Sequence, residues 1–142
     1  MKYLVALLVL LAGCAAQAPA PVRESGPAPG PAPHAENPAV ASLMEGAHAD
    51  AAAGRLANAA ASLERALRIE PRNPRLWQEL ARVRLQQRDW AQAESTAARS
   101  NSWAGSDGSL RAENWRLIAQ AREARGDSAG ARAALETAER QR

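Results

Sequence analysis

Between Leu43 and Trp90 the chain repeats its own skeleton at an interval of 34 residues. Leu43 returns as Trp77, Ala47 as Ala81, Leu56 as Trp90 and Ala59 as Ala93. A period of this size predicts stacked helical hairpins, because one hairpin cannot bury its apolar face alone and must lean on the next. After four extra residues a third copy follows, with Trp115, Ile118, Ala119, Gly126, Ala131, Leu135 and Ala138 standing where Leu43, Gly46, Ala47, Gly54, Ala59, Leu63 and Ala66 stand.

Six helices are expected: Pro38 to about Ala52, about Leu56 to Glu70, Pro74 to Gln87, Trp90 to about Ser100, Leu110 to Ala124, and Ser128 to Arg140. Gly54 and Gly126 supply turns with a left-handed backbone. Arg88 occupies the equivalent place, at a cost if the turn needs a positive φ. Pro71 and Pro74 end one helix and begin the next. Asp89 and Asp127 are expected N-caps. The four extra residues are assigned to a Gly/Ser loop over 101–109 that carries Trp103. Phenylalanine is absent and alanine dominates the apolar residues, so the helices must pack by close approach.

Upstream, Lys2 precedes an apolar run from Leu4 to Leu11. The run is too short to span a bilayer and is placed as the apolar region of a signal peptide. It closes on Leu11-Ala12-Gly13-Cys14, which resembles the lipobox of bacterial lipoproteins. That resemblance implies a lipid on Cys14, the sole cofactor-like group expected. Cys14 is the only cysteine, so it has no internal disulfide partner. Ala15, in place of aspartate, implies sorting to the outer membrane by resemblance to the sorting rule, with the protein on its periplasmic face. Residues 15–38 hold seven prolines and no apolar periodicity. They read as a disordered tether that reaches about 70 Å at about 3.1 Å per residue. The expected organisation is a signal peptide over 1–13, acylated cysteine and tether over 14–38, and a helical domain over 39–142 with repeats at about 40–73, 74–107 and 111–142.

Small residues recur at the eighth, twentieth and twenty-seventh places of each copy: Ala47, Ala59, Ala66; Ala81, Ala93, Ser100; Ala119, Ala131, Ala138. With large Leu43, Trp77 and Trp115 at the fourth place and Pro71 at the thirty-second, the domain resembles the tetratricopeptide repeat. The resemblance implies an all-α, short right-handed solenoid. The eleventh place, usually a large aromatic in that family, is Asp50, Arg84 and Arg122, and an Asp50–Arg84 ion pair is the expected replacement. With three repeats, near the minimum for such arrays, the C-terminal end is expected to be marginal or covered by a partner.

Among the 18 basic residues the one lysine is Lys2, and the arginines are interleaved with 15 acidic residues. A nucleic-acid surface needs a one-signed stripe; here Glu64–Arg65, Glu79–Arg82 and Glu113–Arg116 mix signs within single turns. No constellation for catalysis or metal binding is present, so an enzyme is not expected. The resemblance assigns a second stripe of each first helix to a concave groove: Met44, His48 and Ala51; Arg75, Gln78, Arg82 and Leu85; Arg116, Gln120 and Glu123. These are the expected partner contacts, with Trp103 as an outlying candidate.

Lipobox, Pro/Ala tether and three compact repeats together resemble the pseudomonad-type lipoprotein activators of a class A penicillin-binding protein, the bifunctional peptidoglycan synthase. The resemblance implies an allosteric binding protein, a monomer or weak dimer, whose partner is that synthase. Two alternatives share the same residues: a pilotin-type lipoprotein, and a scaffold bringing a protease to cell-wall hydrolases.

Overall fold

The computed structural model describes residues 37–141. The expected signal peptide, Cys14 and the expected tether as far as residue 36 lie outside the described residues. Six helices follow one another: α1 (Pro38–Ala52), α2 (Leu56–Ile69), α3 (Pro74–Gln86), α4 (Trp90–Trp103), α5 (Gly108–Ala124) and α6 (Ser128–Arg140). They pair as hairpins α1/α2, α3/α4 and α5/α6, each stacked on the next, and the described residues contain no strand.

The ends of the helices follow local chemistry. Pro38 and Pro74 sit in first turns, where a missing N–H costs nothing. Asn37, Asn73, Asp89, Asp107 and Asp127 accept backbone N–H groups of the turns they cap, which satisfies donors a helix start otherwise leaves open. Inside each hairpin the first helix closes on a bond from the residue after the turn back to the eleventh place: Arg55 N to Asp50 O at 2.8 Å, Asp89 N to Arg84 O at 2.9 Å, and Asp127 N to Arg122 O at 2.9 Å. This closure carries a left-handed residue, namely Gly54 (φ 75°), Arg88 (φ 63°) and Gly126 (φ 83°). Arg88 alone has a Cβ to strain there. Arg88→Gly is expected to raise stability by about 0.5–1 kcal/mol, the relief of that strain less the extra chain entropy of glycine. Urea unfolding checks this; a lower midpoint would show that the Arg88 side chain contributes more than its backbone costs.

The four extra residues are not in a loop. The α4–α5 connection has the same length as the α2–α3 connection, and α4 begins and α5 starts at an offset of 34 from α2 and α3. The insertion lies in α5, which has 17 residues against 13 in α3. Four residues make about one helical turn, so the inward face keeps its direction. Asp107 starts α5 early by accepting Leu110 N at 2.9 Å. Trp103, expected in a loop, is therefore the last residue of α4.

Fourteen of the 23 buried apolar residues are alanines, so the few large side chains carry most of the interior. One core cluster centres on Leu63, Leu76, Leu80 and Val83, with Leu43, Met44, Ala51, Leu56 and Trp77 packed against it. A second centres on Leu117, Ile118 and Ala134, with Leu85 and Trp115 against it. A polar seam joins α3, α4 and α5. Asn114, fully buried, donates to Ser100 Oγ at 2.7 Å and to Asn101 Oδ1 at 3.0 Å, and accepts from Gln78 Nε2 at 3.0 Å. Ser100 Oγ in turn donates to Pro74 O at 2.7 Å. In this way the seam fastens the start of α3 to the end of α4.

The expected Asp50–Arg84 pair does not form. Asp50 accepts from Arg55 at 2.7 Å across its own turn. Arg84 reaches back to Glu64 of α2 at 2.6 Å and to Gln87 at 3.0 Å. Arg122 repeats the device, gripping Glu94 of α4 at 2.7 Å beside Arg125 at 3.1 Å. An arginine at the eleventh place thus ties its helix to the second helix of the preceding hairpin. An aspartate is too short for that reach.

Candidate partner-binding surface

The first helices of the three hairpins, α1, α3 and α5, are joined by a ladder of polar and charged side chains. His48 Nε2 lies 3.3 Å from Glu79 Oε2. Glu79 also lies 3.7 Å from Arg82 Nε, and Arg82 Nη2 donates to Glu113 Oε2 at 2.8 Å. His48–Glu79 and Arg82–Glu113 each span 31 residues, three fewer than the 34 between the first two repeats and seven fewer than the 38 between the second and third. In both pairs the glutamate therefore sits one to two helical turns nearer the start of its helix than the position in register with its partner. These contacts are exposed, and each contributes about 0–1 kcal/mol. Their consequence is orientation: Arg82 is held in place.

At one end of this wall a groove of about 400 Å³ opens between α1 and the start of α3, lined by Met44, Glu45, His48, Asn73 and Arg75 among others. Met44 and Val40 give it an apolar floor, and Arg75 stands exposed at its rim. Arg75 makes no ion pair among the described residues. At the other end Arg116 lies 3.9 Å from Glu139 and lines a second hollow of about 640 Å³ with Arg111, Ser109 and Gln141.

The structure brings Met44, His48 and Arg75 together in the groove and joins Arg82 to them through Glu79. Gln120 is exposed on α5, and Glu123 accepts from Ser128 Oγ at 3.0 Å. Gln78 is a correction: only 5% exposed, it is committed to Asn114 and the polar seam and offers nothing to a partner. Leu85 and Ala51 are half-buried against the core and contribute little surface.

Two residues escaped the sequence reading. Arg72 stacks on the Trp103 ring, 5.2 Å from its centroid, and Arg99 on the Trp77 ring at 5.1 Å; such pairs contribute about 0.5–1 kcal/mol each at exposed sites. Helical spacing places Arg99 and Trp103 one turn apart on α4, but each arginine's ring lies on a different element, so the pairs themselves left no signal in the sequence. Glu79 and Glu113 were legible, as residues 31 positions from His48 and Arg82.

A tetratricopeptide-repeat family profile matches residues 50–112. The solved globular C-terminal domain of P. aeruginosa LpoP is 48% identical, with a TM-score of 0.71, the alignment covering 72% of this chain and 97% of that domain. The chain belongs to the LpoP family. No curated protein matches it. The LpoP likeness extends over almost the whole of the solved domain, so the stacked hairpins are the family's own unit. Among the described residues no group of His, Cys, Asp and Glu is arranged to hold a metal ion, and no helix is long and apolar enough to cross a membrane.

Proposed function

We propose that this LpoP-family protein is an outer-membrane lipoprotein, anchored through Cys14, that binds a class A penicillin-binding protein from the periplasmic side and raises its peptidoglycan synthase activity. The observation that carries the proposal is the 48% identity across 97% of the LpoP domain. It joins the lipobox and proline-rich tether of the sequence to a repeat fold that serves binding and carries no catalytic constellation. The protein's work is to favour the more active state of its partner. It must therefore bind that state more tightly than the resting one, because a ligand shifts an equilibrium only by its differential affinity.

The groove of Met44, His48 and Arg75 is the proposed contact. Arg82 is the poorer residue to test, since Arg82→Glu would place a third carboxylate between Glu79 and Glu113 and disturb the wall itself. Arg75→Glu leaves the ladder intact and is expected to weaken binding of the mature lipoprotein to the purified synthase by about tenfold or more, from a reversed charge at a desolvated rim. Biolayer interferometry measures it. Unchanged affinity would remove the groove from the interface, and no binding by the wild type would remove the synthase as partner.

A further inference from the structure

We propose that Arg72, Trp77, Arg99 and Trp103 form a second docking site, for an acidic protein segment bearing an apolar anchor residue. From the activator reading the proposal takes only that the partner is a protein.

The four side chains make one patch. Arg99 and Trp103 stand one turn apart on α4 and share a face. Arg99 lies over Trp77, Arg72 lies over Trp103, and Trp77 Nε1 donates to Pro71 O at 2.9 Å, which ties that ring to the residue preceding Arg72. Trp103 is 41% exposed at the end of α4. The patch uses α4, the α2–α3 turn and the first turn of α3, and it shares no residue with the ladder.

Its charge is uncompensated. Arg55, Arg82, Arg84, Arg122 and Arg125 each hold a carboxylate. Arg72 and Arg99 hold none among the described residues. A guanidinium lying on a ring uses its flat face there and keeps its N–H donors, which leave by the edge, for another group. Each of these arginines is thus a planar fork held near its ring with donors to spare, and such a fork takes a carboxylate with two parallel bonds.

Beside the patch lies a hollow of about 370 Å³, with Leu67, Trp77 and Leu80 as its apolar wall and Arg68, Gln92 and the paired Glu64 and Arg84 around it. Two cations next to a hollow with an apolar wall complement a segment with carboxylates flanking an apolar side chain. A glycan strand could offer carboxylates to the arginines, but it has no side chain for the hollow.

The test uses the mature chain, read by tryptophan fluorescence and titrated with a short peptide of glutamates around a central leucine, its glutamine twin, and soluble glycan strands. The glutamate peptide is expected to bind at least about tenfold more tightly than the twin. The double variant Arg72→Glu/Arg99→Glu is expected to lose that preference, and Arg72→Gln/Arg99→Gln to reduce it; circular dichroism confirms the fold of each. Equal affinity for the two peptides, an undiminished preference in both variants, or tighter binding of glycan strands would overturn the proposal. Synthase binding that persists without peptide discrimination would overturn this site and leave the activator reading standing. Peptide discrimination with no synthase binding by the wild type would leave the site standing and overturn the activator reading.

Discussion

Leu63→Ala is expected to cost the fold about 2–5 kcal/mol, the loss of buried methyl groups together with the cavity they leave. Leu63 is fully buried at the centre of the first core cluster, and its neighbours Ala47, Ala59, Ala60 and Ala66 have no side-chain length with which to fill the gap. Against a typical total of about 5–15 kcal/mol this is a large fraction. The effect should also be local. Stacked repeats contact only their neighbours, so stability is roughly a sum over hairpins and their interfaces. Amide hydrogen exchange is expected to show α1 and α2 opening first in the variant while α5 and α6 keep their protection. Uniform loss of protection along the chain would mean that the domain unfolds as a single unit and that the polar seam transmits the damage.

Asn114→Ala is expected to cost about 2–4 kcal/mol, because it takes a hydrogen-bond partner from Gln78, Ser100 and Asn101 at once, and a buried group left short of a partner costs about 1–3 kcal/mol. The side chain removed is small, so a cavity term alone would predict far less. The double variant Asn114→Ala/Ser100→Ala separates the explanations. If stranded partners are the cause, adding the second change costs less than Ser100→Ala does in the wild type, since Ser100 Oγ has already lost Asn114. Additive costs in urea unfolding would mean the seam is not energetically coupled.

These two residues also show what was legible in the sequence. Leu63 belongs to a periodic apolar stripe and is placed inside by pattern alone. Asn114 occupies the third place of its repeat, where the second repeat has the fully buried Leu76, yet an isolated asparagine in a helix reads as surface until its partners are known. Ser100 reads as a small residue in register with Ala66 and Ala138, and its hydroxyl becomes meaningful only when Pro74 O and Asn114 are brought to it. The hairpins and the strained turn at Arg88 followed from the 34-residue register. The extra turn of α5 did not, because glycines and serines over 101–109 carry the composition of a loop, whereas the Asp107 cap and the one-turn length of the insertion favour helix.

The candidate surface was legible to the same degree. Met44, His48, Arg75 and Arg82 were placed by helical spacing on one wall, where the structure connects them. Gln78 lies on the same spacing but is drawn inward by Asn114, a contact between hairpins that spacing within one helix cannot reveal. The arginines at Trp77 and Trp103 depend on the approach of α4 to the α2–α3 turn and to the start of α3, and again no single helix encodes it.

Activation requires that binding raise the synthase's rate, beyond mere association. The most direct measurement adds the mature lipoprotein to the purified class A penicillin-binding protein of the same organism and records glycan polymerisation and peptide crosslinking rates with and without it. A rise in rate that saturates at the concentration where binding saturates is expected. Saturated binding with unchanged rates would contradict the activator reading, because a partner bound equally well in its resting and active states is held without being activated.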